Sequence, residues 1–225
     1  MIQRWVKPGT PVVTYALIAI NAFVYLLQWL PGLRLTDYLA YAPAYTWAEY
    51  GPMGVTYEPW RLVTSTFAHS TGFVFHILLN MYTLWIFGQI LERMLGRGRF
   101  LTLYLLSALA GSLGVMYWAG PTTFVVGASG AIFGLVGAFL IIQRKLGGDT
   151  TQLFILVGIN LVIGFLPGMS VAWQAHLGGL IAGLLLGLIY VQTRNASQRR
   201  LQNLLVSGIA VLSLVLAFAH APVFV

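Results

Sequence analysis

Seven apolar stretches divide this chain, and each is close to the length of a membrane span. They run Val12–Leu30, Phe73–Leu91, Phe100–Ala119, Phe124–Ile142, Thr151–Pro167, Ala172–Gln192 and Leu204–His220. A helix needs about 20 residues to cross the hydrocarbon core of a bilayer. Backbone groups in lipid must be paired within the segment, so each stretch is expected as a helix. The fold expected is all-α, a polytopic membrane bundle of six core helices with a seventh at the C-terminal end. Charged residues make up 8% of the chain, against about 25% in a soluble domain. Nearly all of the protein is therefore membrane. Met1 to Pro11 are too polar and short for a cleavable signal peptide, so the first stretch is read as a retained helix.

The charges between the stretches set an orientation. With the N-terminus in the cytoplasm, the inner side holds Arg4, Lys7, Arg93, Arg97, Arg99, Arg144, Lys145, Arg194, Arg199 and Arg200. Only Arg34 and Arg61 fall outside. This bias predicts N-terminus in and C-terminus out. It also accounts for the net charge of +7 without a nucleic-acid partner. The short basic N-terminus favours a bacterial or archaeal plasma membrane. Residues 1–192 are read as a six-helix core, 193–203 as a basic cytoplasmic linker and 204–225 as an additional helix. Within the core, residues 31–72 form the one long connection. It carries Tyr38, Tyr41, Tyr45, Trp47, Tyr50, Tyr57 and Trp60. Aromatics of this kind settle at headgroup level, so the loop is expected to lie in the outer interface and to be partly helical.

Polar residues inside the stretches are few, and each is a functional candidate. The second stretch holds His76 and Asn80, four apart and so on one helix face, then Gly88 and Glu92. The fourth opens on Gly127-Ala128-Ser129-Gly130, with Gly134 one turn beyond Gly130. The sixth holds His176, then Gly179, Gly183 and Gly187. Counting at 1.5 Å per residue from the inner charges puts His76 at roughly 24 Å, Asn80 at 18, Ser129 at 22 and His176 at 27. All four fall in the outer half of a core about 30 Å thick. The glycine faces of the fourth and sixth stretches let those helices meet closely.

A serine hydroxyl is a weak nucleophile until a neighbouring base takes its proton. On spacing alone either His76 or His176 can be that base. No carboxylate lies at this depth, so a Ser-His-Asp triad is excluded and a dyad remains. The other histidine, Asn80 and the Ser129 backbone N–H can serve an oxyanion. Acyl transfer, here peptide-bond hydrolysis, needs these parts. No cysteine is present, which removes disulfides and thiolate metal sites; no metal or cofactor is expected.

These motifs resemble those of the rhomboid family of intramembrane serine proteases, over the first six stretches. Gly127-Ala128-Ser129-Gly130 is similar to the family's GxSG. Ala175-His176 with Gly179 and Gly183 resembles its AH…GxxxG. His76 with Asn80 resembles HxxxN, Gly88 with Glu92 resembles GxxxE, and Trp60-Arg61 resembles the WR of the first loop. The resemblance implies Ser129 as nucleophile, His176 as general base, and His76 and Asn80 in the oxyanion hole. It implies single-span membrane proteins as substrates, cut near the outer boundary. It implies sideways entry near the fifth stretch, where Gly158, Gly164, Pro167 and Gly168 suit a mobile gate. Phe133 replaces a tyrosine that stacks on the catalytic histidine in some members. His69 lies farther from His76 than an outer-loop histidine usually does. The seventh helix is given no catalytic role, and His220 is read as an interfacial residue. Two other classes compete. A silent relative that binds clients would usually lack the serine or the histidine. A small transporter would carry broken, repeated helices and an intramembrane charge.

Overall fold

The computed structural model describes residues 9–163 and 171–220. Arg4, Lys7, Gly164, Pro167 and Gly168 lie outside those residues. The chain begins with α1 (Val12–Gln28), then crosses a long connection containing the short helices α2 (Leu35–Leu39) and α3 (Arg61–Thr64). There follow α4 (Val74–Leu95), α5 (Arg97–Trp118), α6 (Ser129–Lys145), α7 (Thr151–Ile163), α8 (Trp173–Gln192) and α9 (Arg199–Phe218). Among the described residues, four helices are long and apolar enough to cross a membrane: residues 74–95, 97–118, 173–192 and 196–218. The protein is a multi-pass helical membrane bundle.

Helix α6 is the centre. Eleven of its seventeen residues are buried, which is why its sequence is apolar all round rather than striped. It packs against α8, α5 and α4, while α1 lies on α4. Small residues set these distances. A methyl on Gly179 would overlap the Gly130 carbonyl, and one on Gly183 the Gly134 carbonyl. Helix α5 joins the same seam, since Gly111 faces Gly130 and the Ala175 carbonyl. The backbones of three helices thus meet with almost no side chain between them, as small residues allow in membranes. The outward faces of α7 and α9 carry exposed Phe154, Ile159, Leu204 and Val215, surface that suits lipid.

The arginine-rich end is tied by short caps. Gly96, at φ +85, joins α4 to α5 in one residue, a conformation that favours glycine. Glu92 is buried and accepts from Val13 N (3.0 Å), Thr14 N (2.7 Å) and Thr14 Oγ1 (2.8 Å). It thereby caps the start of α1, where unpaired N–H groups and the positive dipole end need an anion. Gly88 makes room for this, because a methyl there would lie 2.6 Å from Thr14 Cγ2. Gly88 and Glu92 are therefore joints between α1 and α4.

Two boundaries and the place of Tyr41 differ from the sequence reading. The fourth helix begins at Ser129, not Phe124. Residues before it are held extended, because Tyr41 and Val125 exchange both backbone hydrogen bonds (3.0 and 2.8 Å) and Gly127 N donates to Ser65 O (3.0 Å). Helix α9 begins at Arg199, within the expected linker, behind a capping box of Asn195 and Gln198. Tyr41 is fully buried rather than interfacial; its hydroxyl is satisfied by Thr46 Oγ1 at 2.9 Å. Tyr38 and Trp60 are exposed as expected. Arg61 fixes the connection. It is 3% exposed, pairs with Glu58, donates to the Asp37 and Ala40 carbonyls and lies 4.0 Å over the Tyr45 ring.

Candidate active site

Ser129, His176, His76 and Asn80 all lie near the starts of their helices, at the end of the bundle away from the arginine-rich caps. Ser129 is the first residue of α6 and is half-buried. Its backbone N–H is among the four that a helix start leaves unpaired. Phe133 sits one turn on, on the same helix face. The Phe133 ring stacks on the His176 imidazole, with centroids 4.1 Å apart and planes 6° off parallel. The stack sets the imidazole of α8 beside the first turn of α6. His176 is buried, with no hydrogen-bond partner for Nδ1. Gly130 and Gly179 bring the two backbones together beneath it.

His76 approaches from α4. Its Nδ1 accepts from Ser70 N at 3.1 Å. A neutral imidazole accepting at Nδ1 carries its proton on Nε2. That nitrogen faces the turn before Ser129, for a methyl on Gly127 would lie 2.8 Å from both Nε2 and Cε1 of His76. Gly127 has φ +122, a conformation that L side chains rarely adopt. The site thus has a donor aimed at the Gly127–Ser129 backbone and a stacked histidine on the neighbouring helix. Asn80 is buried one turn below His76, and its amide donates to the His76 carbonyl at 2.7 Å. One of its two N–H groups is therefore engaged within its own helix.

His69, doubtful from spacing alone, is fully buried, with its ring 5.2 Å from that of His76. Burial, and then the neighbouring His76, push its pKa down to about 3, so it is neutral. Its backbone N donates to Gln28 Oε1 at 2.9 Å, which anchors it to the end of α1. Gln28 gave no sequence signal of its own. A small cavity of about 30 Å³ opens beside Ser129, lined by Ser65, Thr66, Ser112, Gly127, Ser129 and Ala175 among others. Its walls mix hydroxyls with apolar groups, and it is large enough for one water. Trp60, Arg61, Gly88 and Glu92 are not brought to this point. Gly158 is exposed on α7, and a methyl there would meet nothing.

Ser129 at a helix start, His176 on an adjacent helix and His76 against the turn before Ser129 are the kinds of group that a serine hydrolase uses, here within a helical membrane bundle. The rhomboid domain model matches residues 56–193, and the chain belongs to the rhomboid family, a family of intramembrane serine proteases. It is 35% identical over 191 residues to YdcA of Bacillus subtilis, named as a candidate rhomboid protease. That match covers 82% of this chain and 90% of the relative. It is 30% identical over 192 residues to the rhomboid protease GlpG of Haemophilus influenzae, covering 82% and 94%. It is 34% identical to RHOMBOID-like protein 1 of Arabidopsis thaliana, covering 83% of this chain and about half of that longer protein (53%).

Proposed function

We propose that this chain is an intramembrane serine endopeptidase working through a Ser129–His176 dyad. Ser129 Oγ attacks the scissile carbonyl while His176, neutral, takes its proton. The tetrahedral oxyanion accepts from the Ser129 backbone N–H, from His76 Nε2–H and from the free amide hydrogen of Asn80. Protonated His176 then hands its proton to the leaving amine. A water repeats the sequence on the acyl-enzyme, with His176 again as base. The observation that supports this reading is the stack of the His176 ring on Phe133, a residue one helical turn on from Ser129 in α6. Without a carboxylate partner, His176 relies on this packing for its orientation.

The basic ends face the cytoplasm and the site opens to the outer half of the membrane, so that cleavage falls near the outer boundary of a single-span substrate. The six helices of residues 1–192 form the working core and residues 204–225 an addition to it. The test is cleavage of a model single-span protein in liposomes by wild type, Ser129→Ala and His176→Ala. The expected result is cleavage by wild type alone, with both variants inserted in the membrane. Cleavage by His176→Ala at the wild-type rate would remove the dyad.

A further inference from the structure

The end of the C-terminal helix is built into the layer that holds the nucleophile turn. Ala217 is 1% exposed and belongs to an apolar cluster with Tyr41, Leu62, Leu113 and Met116. Val125 and Ala175 pack against the same cluster. Val125 is bonded on both sides to Tyr41 and leads into Gly127, while Ala175 precedes His176 in α8. Beyond Ala217 the chain meets the first connection directly. The His220 carbonyl accepts from Ala48 N at 2.8 Å. The His220 ring packs on Trp47 (centroids 5.4 Å apart) and on Tyr117 of α5 (5.7 Å). The Tyr117 hydroxyl donates to the Leu216 carbonyl at 2.8 Å. Three parts of the chain are knotted here: residues 41–48, α5 and α9.

We propose that His220 is a positioning residue for the nucleophile turn. Its ring holds Trp47, and with it residues 41–48, against α5. The Tyr41–Val125 pair carries that register to Gly127 and Ser129. The proposal rests on the reading of Ser129 as the nucleophile. A connection freed at Trp47 lets the Tyr41–Val125 pair open locally. Small displacements at a reacting centre are costly, about 100-fold for 1 Å. On this view the seventh helix is part of the active-site scaffold, although it is outside the matched domain.

The test uses the full chain in liposomes, with steady-state cleavage of a single-span substrate and amide hydrogen exchange at Tyr41, Ala48 and Val125. His220→Ala keeps the backbone bond to Ala48 and removes only the ring. It is expected to lower kcat about 3- to 10-fold, the range set by the loss of aromatic contacts, with KM unchanged and exchange faster at Tyr41 and Val125. His220→Phe, which keeps a ring but cannot titrate, is expected to restore both. Val211→Ala, on the exposed face of α9, should change neither. An active His220→Ala with wild-type kcat and unchanged exchange overturns the proposal and leaves the protease reading intact. Failure of His220→Phe to restore either quantity overturns it as well. If the wild type neither cleaves nor takes a serine-directed probe, the reading of Ser129 falls and this proposal falls with it.

Discussion

Replacing Gly127 with alanine should remove one donor of the proposed oxyanion hole without touching either member of the proposed dyad. The new methyl would lie 2.8 Å from His76 Nε2 and Cε1, against the 3.4 Å of ordinary contact, so one partner must move about 0.6 Å. Both are held, so either movement breaks a contact. The His76 ring is held by Ser70 N at Nδ1 and lies against His69. Gly127 is held by its bond to Ser65 O. The backbone at φ +122 adds strain of about 1–3 kcal/mol for a residue with a side chain. The cheaper relief is for His76 to swing away, which removes one oxyanion donor. Losing such a donor costs about 10²–10³ in kcat, with KM little changed because the ground state does not use it. The assay is steady-state cleavage in liposomes, with thermal unfolding in detergent to confirm the fold. A double-mutant cycle isolates the cause. Once His76→Ala has removed the ring, Gly127→Ala should lower kcat only slightly further, because the clash is gone. A Gly127→Ala variant within about threefold of wild-type kcat, or fully additive losses in the cycle, would refute the reasoning.

Three other outcomes follow from the same geometry. Glu92→Gln weakens a buried cap accepting three hydrogen bonds. Since bonds to a charged group contribute about 1.5–3 kcal/mol, the thermal midpoint should fall while kcat of the folded fraction holds; an unchanged midpoint would contradict the capping role. Asn80→Ala should lower kcat less than His176→Ala, by about 10²–10³ at most, and an undiminished rate would remove it from the site. Gly179→Ala forces α8 away from the Gly130 carbonyl beneath the dyad. It should cost about 1–3 kcal/mol in stability and depress turnover, whereas Gly158→Ala, facing open space, should be neutral in both.

The site was legible in the sequence where a helical spacing encoded it. Gly130 and Gly134 against Gly179 and Gly183 predicted that α6 and α8 meet, and their backbones do touch. Counting along helices gave Ser129, His176, His76 and Asn80 a shared depth; in the structure His76 lies against Gly127 and His176 stacks on Phe133. Phe133 was read from the family resemblance, not from spacing, as keeping an aromatic face, and it stacks on His176. What stayed hidden depends on pairings between distant segments. Nothing periodic links Tyr41 to Val125 or Ser65 to Gly127, yet those bonds end the helix at Ser129 and fix the turn before it. Helix α5 was missed as a third partner of the glycine seam, although Gly111 and Gly114 carried a signal of the same kind. Glu92 was recognised by motif alone; its partner lies 78 residues earlier, beyond the reach of local pattern. His220 read as an interfacial residue because its contacts with Trp47 and Tyr117 are equally non-local.

The proposed activity requires a nucleophilic Ser129 activated by His176. The most direct measurement is mass spectrometry of the membrane-embedded protein after treatment with a fluorophosphonate. A single adduct is predicted on the peptide carrying Ser129, formed at wild-type rate in Val211→Ala and lost or strongly slowed in His176→Ala. An adduct on another serine, or labelling of Ser129 that is indifferent to His176, would contradict it.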